Sequence, residues 1–221
     1  MAGIQDFIEY CDDFIGTSAS LPASADPATA WLIDDTSSAG TPTYVRNAGA
    51  AVITLASTSE IENVCLHHGD ALSFDIDDIQ RVEMRVKLGA AFTSGSTLVF
   101  GVGSARADDA DTVAAHASFK MVGADSTTAV VVESDDAVRD NDDVATGATL
   151  GTTYKRFVID FTGGKANVKF YVDGVRVAAG TTFDMSGYSA GLQPIVQLSK
   201  AANTNVDAVS VDYVKIVSRR S

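Results

Sequence analysis

The densest group of side chains that could bind a ligand lies in ESDDAVRDNDD, residues 133–143. Carboxylate oxygens are the ligands that a hard cation such as calcium takes, six to eight at a time. The stretch lacks the spacing, the glycine and the final bidentate glutamate of an EF-hand loop. It is therefore either a plain exposed acidic loop or a calcium site. The candidate calcium ligands are Asp135, Asp136, Asp140, Asp142 and Asp143, and no other cofactor is expected.

Paired carboxylates for sugar hydrolysis would be a second kind of chemistry. Retaining glycosidases need two carboxyl groups about 5–5.5 Å apart, which two same-face residues of one strand can supply. In FDIDDIQRVEMRV, residues 74–86, Asp75 and Asp77 alternate but precede a predicted turn, and Glu83 stands alone on its strand. They are interpreted as solvated carboxylates and not as a catalytic pair.

Other reactive groups are isolated. His67 and His68 are adjacent, so on a strand they point to opposite faces, and Cys65 with His67 makes a pair and not a four-ligand zinc site. The sequence contains no Gly-x-Ser-x-Gly elbow, no phosphate loop and no Gly-rich dinucleotide turn. The prediction is that this protein has no catalytic residues and is not an enzyme.

Exposed aromatic faces could stack on sugar rings and bind carbohydrate without catalysis. Trp31 is the only Trp, and its place before LIDDT suits either the core or the surface. Tyr171 takes the polar phase of its strand, between Phe170 and Val172, although cross-strand packing explains it equally well. Trp31 and Tyr171 are the candidate carbohydrate-binding residues.

The charge balance bears on partners. The 221 residues include 16 Lys and Arg against 29 Asp and Glu, a formal net charge of −13. Such a chain is repelled by the phosphates of nucleic acid unless it carries a basic stripe, and by anionic membranes for the same reason. The predicted partners therefore include neither nucleic acid nor a membrane.

The first residues and the cysteines bear on localisation, and the expectation is synthesis in the cytoplasm without a signal peptide. The first residues, MAGIQDFIEYCDDFIG, have no basic region and no uninterrupted apolar run, unlike a signal peptide. No stretch reaches the roughly 20 apolar residues of a membrane span. Cys11 and Cys65 are expected to be free thiols in a reducing compartment, with a disulfide as the alternative.

Strand signals recur along the chain. In RVEMRVKL, residues 81–88, apolar and charged side chains alternate without exception, as in a half-buried strand. In KFYVDGVRVA, residues 169–178, an Asp-Gly pair joins two alternating runs, which predicts a hairpin with a type I′ turn. The alternation slips within residues 209–217, and a β-bulge near Asp212 would reconcile its halves.

The first part of the chain is ambiguous. Apolar residues within 4–15 fit a helical stripe, but YCDDFIG also fits a strand, so a short helix running into an edge strand satisfies both. Residues 17–45 resemble a long connection across the fold. The predicted organisation is one domain, with an N-terminal arm and first strand in residues 1–16 and a two-sheet all-β sandwich in residues 17–221.

Three segments resemble the concanavalin A-like, or laminin G-like, jelly-roll superfamily. They are DDFIG (12–16) followed by a Trp, YKRFVIDFTGGKANVKFYVDGVRVA (154–178), and VDYVKIVS (211–218). The resemblance implies an all-β jelly-roll sandwich in which the last segment pairs with the first strand. Hydrolases of this superfamily carry a Glu-x-Asp-x-x-Glu or Glu-x-Asp-x-Glu strand, which is missing here.

The acidic, small-residue-rich sequence is also similar to virion proteins of tailed bacteriophages, which use this fold as head decoration. This resemblance implies a structural protein on the capsid surface that binds the major capsid protein and copies of itself. Ile4, Phe7 and Ile8 would then form an apolar anchor for the capsid, or else cover this protein's own core. The alternative hypothesis is a carbohydrate-binding module, with a glycan as partner and host adhesion as its role.

Overall fold

The protein is a sandwich of two antiparallel β-sheets. A computed structural model describes residues 6–15, 19–20, 31–71 and 73–220. Within these ranges the regular structure is β-strand, apart from two 3₁₀ turns at Ala110–Thr112 and Lys165–Asn167. The predicted all-β jelly-roll class is confirmed.

Among the described residues, no helix has the length and the apolar content that crossing a membrane requires.

Sheet A contains nine of the strands that the structure describes. Its spatial order is β15-β14-β13-β8-β17-β5-β4-β2, and β1 also pairs with β17. The bounds are β1 Phe7–Asp12, β2 Ala19–Ser20, β4 Thr43–Arg46, β5 Ala51–Thr54, β8 Ile79–Leu88, β13 Lys155–Asp160, β14 Lys169–Val172, β15 Val175–Val177 and β17 Ala208–Arg219.

Sheet B faces it with eight described strands in the order β12-β11-β10-β9-β16-β6-β3, and β7 also pairs with β16. The bounds are β3 Leu32–Asp35, β6 Glu62–His67, β7 Phe74–Asp75, β9 Ser96–Gly103, β10 His116–Val122, β11 Ala129–Asp135, β12 Asp140–Thr149 and β16 Gly191–Lys200.

Alternation along each strand divides core from surface. On β8, Val82 and Met84 are buried between the sheets, whereas Arg85 points outward and is exposed. A second, small apolar cluster of Cys65, Val99 and Ile195 is separate from this core. Because neighbours of these residues on the same strands face the core, the second cluster lies on the outer face of sheet B.

Two local predictions are confirmed. The hairpin forms as expected, with Phe170 opposite Val177 and with positive φ at both turn residues, Asp173 and Gly174. The register of β17 on β8 shifts between Val211 and Tyr213, at the predicted bulge. The last strand also pairs with the first, as the resemblance implied, because β1 runs antiparallel to β17.

Three predictions are corrected. Residues 7–12 form a strand, and residues 6–15 contain no helix, because pairing with β17 overrides the weak helical periodicity. The long connection predicted for 17–45 contains the edge strands β2 and β3 and part of β4. The acidic residues 140–143 begin the edge strand β12, since charged residues are tolerated where one side of a strand is unpaired.

Candidate functional site

A groove of about 370 Å³ opens on the outer face of sheet B. Its floor comes from β9, β10 and β16, and its walls come from β12 and from the connection between β9 and β10. The lining is polar and acidic, with these charged residues: Asp108, Asp109, Asp111, Lys120, Asp125 and Asp143.

A buried lysine organises the charges in this groove. The side chain of Lys120 is only 6 % exposed, and its Nζ lies 2.5 Å from Glu133 Oε1. The same Nζ lies 3.0 Å from Asp111 Oδ1 and 3.3 Å from Asp143 Oδ1. Carboxylates from three separate elements therefore share one ammonium group.

Strand register brings these groups together. Ser118 lies directly opposite Glu133, so His116 and Lys120 are the diagonal neighbours of Glu133 on the same outer face. Diagonal neighbours are within reach of long side chains. His116 Nδ1 lies 3.0 Å from the carbonyl oxygen of Val113, which can only accept, so Nδ1 carries the hydrogen. The other ring nitrogen lies 3.8 Å from Glu133 Oε2.

The buried glutamate holds its proton more tightly than usual. Its side chain is 2 % exposed, and burial raises the pKa of Glu133 to about 8 in spite of the opposing effect of Lys120. Burial alone would lower the pKa of Lys120, but hydrogen bonds with Glu133 and Asp111 outweigh it and raise that pKa. Because Asp111 and Asp143 are about half exposed and share the ammonium charge, Lys120 stays charged and Glu133 is the acid that takes up a proton.

One polar atom in this cluster is unsatisfied. Ser118 is fully buried, and its Oγ has no hydrogen-bond partner among the residues that the structure describes. A buried hydroxyl without a partner costs free energy, about 1–3 kcal/mol. The floor beside Glu133 therefore has unused hydrogen-bonding capacity.

The connection between β9 and β10 covers the neighbouring part of sheet B. Arg106 holds it down, with Nε 3.2 Å from Asp34 Oδ2 and Nη2 2.5 Å from Asp108 Oδ1. The carbonyl oxygen of Asp108 accepts hydrogen bonds from Asn63 and from Gln197 at 2.7 and 2.8 Å. This connection gives the groove its depth.

The predicted calcium ligands do not converge. Asp136 is buried, and its two carboxylate oxygens accept from Val138 N, Arg139 and Gly187 N. Asp143 lies against Lys120, and Asp135 Oδ1 accepts from Ala137 N. Within the described part of the chain no group of three or more His, Cys, Asp or Glu side chains is placed to hold a metal ion. Calcium binding stays a prediction from the sequence.

The candidate aromatic residues have different surroundings. Trp31 is 0 % exposed, and its Nε1 donates to Asp12 Oδ2 at 2.8 Å. Trp31 also packs 4.5 Å from the ring of His68. A ring buried in this way cannot stack on a sugar, so the prediction for Trp31 is corrected. Tyr171 is half-buried and lines a second groove, on the outer face of sheet A.

The predicted apolar anchor lies partly within the described residues. Phe7 is 51 % and Ile8 46 % exposed on β1, so they do not cover the core. Ile4 lies outside the described residues. Cys11 and Cys65 are free, as expected.

The sequence predictions missed the Lys120 cluster. Glu133 appeared only as one carboxylate of an acidic stretch, and Lys120 was not singled out. The available signal is a charged side chain between Phe119 and Met121, in a strand whose other residues after His116 are apolar or small. Such a residue must sit on the outer face, where a loop can bury it.

No protein-family model matches the chain, and no curated protein matches it by sequence. Solved structures do match. An endo-acting O-glycanase of the human gut microbiota, which initiates mucin breakdown, has 13 % identity and a TM-score of 0.64, with 95 % of this chain and 98 % of that chain covered.

Two glucan hydrolases are similar to this chain in structure to the same degree. A non-specific endo-β-1,3(4)-glucanase from family GH16 has 16 % identity and a TM-score of 0.63, with 100 % and 94 % of the two chains covered. A laminarinase from Flavobacterium sp. UMI-01 has 14 % identity and a TM-score of 0.63, with 94 % and 98 % covered. The described part of the chain thus has the concanavalin A-like jelly-roll fold. At these identities the likeness shows the fold.

These comparisons overturn the prediction that the protein is not an enzyme, because structures that share its fold include several glycanases. That prediction rested on the absence of a carboxylate motif within one strand. In the structure the clustered carboxylates come from β11, β12 and the β9–β10 connection instead. The comparisons give no support to the phage capsid hypothesis.

Proposed function

We propose that this protein acts on carbohydrate and that it binds an oligosaccharide chain in the groove on the outer face of sheet B. The observation that carries the proposal is the buried charge at the base of an open groove. Taking Lys120 and Glu133 out of water is costly, and a well-packed apolar pair would stabilise the fold at least as well. Strongly perturbed acids in a cleft are typical of functional sites.

The lining of the groove suits a sugar chain. Sugar hydroxyls donate to carboxylates, and Asp111 and Asp143 are about half exposed to the groove. Gln197 and Ser199 on β16 supply further polar groups along the floor. Ligand sites combine a concave shape with a few polar groups that fix orientation.

Hydrolysis of the bound chain is the second step of the proposal. The shared ammonium group holds the carboxyl groups of Glu133 and Asp143 side by side, a buried acid with a raised pKa next to a half-exposed carboxylate. Glu133, whose pKa is raised, would donate its proton to the glycosidic oxygen as the glycosidic bond breaks. Asp143 would take a proton from the water that attacks the anomeric carbon, so that one water is consumed for each bond cleaved. The flexible Lys120 side chain has to swing aside for Glu133 to reach the sugar.

The test combines binding with reducing-end release. Purified protein is offered neutral β-1,3- and mixed-linkage glucan oligosaccharides and mucin-type O-glycans, the classes suggested by the structural neighbours. The expected result is binding and slow release of reducing ends, with a loss of about 100-fold or more in Glu133→Gln, because a general acid contributes 10²–10⁴-fold. Glu60→Gln, also a Glu-to-Gln change but outside the groove, is the control.

Failure to bind or cleave any of these glycans would overturn the proposal. The head-decoration hypothesis, with a capsid location and the major capsid protein as partner, would then be the one to examine by mass spectrometry of purified virions.

A further inference from the structure

The outer face of sheet A carries a second groove, of about 270 Å³. Arg81 lies on β8, Arg156 and Val158 on β13, and Tyr171 on β14. The face is remote from the groove of sheet B, because the core between the two sheets separates them.

Strand register places the tyrosine among cations. Tyr171 lies opposite Val158 on one side and Arg176 on the other. Arg156 shares the outward phase of Val158, two residues before it, and lies opposite Arg85. An aromatic ring half open to solvent is thus flanked by guanidinium groups.

Several of these cations have unused binding capacity. Arg156, Lys169 and Arg176 form no ion pair with another described residue within 4 Å. Arg81 pairs with Glu83 through Nη2, but its buried Nε has no hydrogen-bond partner among the described residues. Asp160 is the carboxylate within the groove lining, and its Oδ1 already accepts from Thr162 N.

This face differs in charge from the rest of the chain. The chain has only 16 Lys and Arg in all and a net charge of −13. Outward positions of sheet A hold seven of these cations: Arg81, Arg85, Lys87, Arg156, Lys169, Arg176 and Lys215. Three of the seven pair with carboxylates of the same face, namely Arg81 with Glu83, Arg85 with Asp212 and Lys215 with Glu9. At physiological salt, charges more than about 8 Å apart are largely screened, so the local cations decide what approaches this groove.

We propose that the groove on sheet A binds an anionic sugar, one that carries a carboxylate or a sulfate group. The sugar ring stacks on Tyr171, and the anion is held by Arg156 with help from Arg81. A guanidinium group matches the planar, two-pronged geometry of carboxylate and sulfate oxygens. An anionic chain is repelled from the acidic groove of sheet B, so the two faces select different ligands. This site does not depend on the function proposed for sheet B.

The experiment measures binding by isothermal titration calorimetry with three probes. The probes are a heparin-derived hexasaccharide, which carries sulfates and carboxylates, a tetragalacturonate, which carries carboxylates alone, and the neutral laminarihexaose. The wild-type protein is expected to bind one or both anionic probes, with an affinity that falls as salt is added. The two anionic probes distinguish a sulfate from a carboxylate as the recognised group.

Variants locate the binding. Arg156→Gln is expected to weaken anionic binding about tenfold, the value of one charge-assisted contact. Tyr171→Thr removes the ring and substitutes a residue that also favours β-strands. Lys155→Gln is the matched control, since it removes the same charge one residue away on the opposite phase of β13, and it should bind as the wild type does.

Three outcomes would overturn the proposal. They are no binding of either anionic probe, an equal loss in Lys155→Gln and Arg156→Gln, or binding of laminarihexaose that Arg156→Gln and Tyr171→Thr abolish. Glu133 lies on sheet B, so Glu133→Gln should leave the binding of the anionic probes to sheet A unchanged. The sheet A proposal can therefore hold even if the protein neither binds nor cleaves neutral glycans.

Discussion

Side chains alternate between the core and the outer face on both sheets, but some outward charged residues of sheet B are buried, whereas several of sheet A are exposed. On sheet B the outward residues Ser118, Lys120 and Glu133 are buried, and Asp111 of the connection between β9 and β10 lies against Lys120. On sheet A the outward Arg156 is exposed and Tyr171 half-buried. The same strand pattern thus gives a buried acid with a raised pKa on sheet B, where neighbouring elements bury the outward side chains, and a surface cation on sheet A, where they leave Arg156 exposed.

Removal of the shared ammonium group should have the largest effect. Lys120→Met leaves Glu133, Asp111 and Asp143 without their common partner, and a buried polar group that loses its hydrogen-bond partner costs about 1–3 kcal/mol of unfolding free energy. The double variant Lys120→Met/Glu133→Leu should recover much of the loss, since it replaces both buried partners by apolar groups. Urea denaturation measures both, and a Lys120→Met variant as stable as the wild type would show that sheet B differs little from sheet A.

The pH dependence of stability sharpens the contrast. The pKa of Glu133 is raised from 4.5 to about 8, so the folded protein keeps a proton that the unfolded chain releases. Its contribution to stability is therefore full below pH 4.5 and is lost as the pH rises towards 8. When the pH is raised from about 5 to about 8, the midpoint of urea denaturation should fall more in the wild type than in Glu133→Gln. Parallel profiles for the two proteins would remove Glu133 as the perturbed acid.

Substitutions on sheet A should have the smallest effect on stability. Arg156→Gln removes an exposed side chain without an ion pair to another described residue, so the unfolding free energy should change by less than about 0.5 kcal/mol. Thermal denaturation of the wild type, Arg156→Gln and the control Lys155→Gln measures this change. A loss as large as that of Lys120→Met would mean that the cations of sheet A hold the fold together and are not free for a ligand.

The fold could largely be predicted from the sequence because its signals are local. Strict alternation in residues 81–88 fixed the buried face of β8, and Asp173 with Gly174 fixed the hairpin turn. The site could not be predicted in this way, since Asp111, Lys120 and Asp143 meet only after β10 and β12 have both paired with β11. Trp31 was ambiguous for the same reason: its burial depends on Asp12 and His68, which are distant in sequence.

Amide chemical shifts of the labelled protein, measured while a neutral glucan oligosaccharide is added, locate the surface that binds it. If the groove of sheet B holds the oligosaccharide, the perturbed amides cluster at residues 97–99, 108–111, 120–122 and 197–199. Amides at residues 156–160 and 171–174 should stay unperturbed. Perturbation confined to sheet A, or no perturbation at saturating oligosaccharide, would contradict binding in the groove of sheet B.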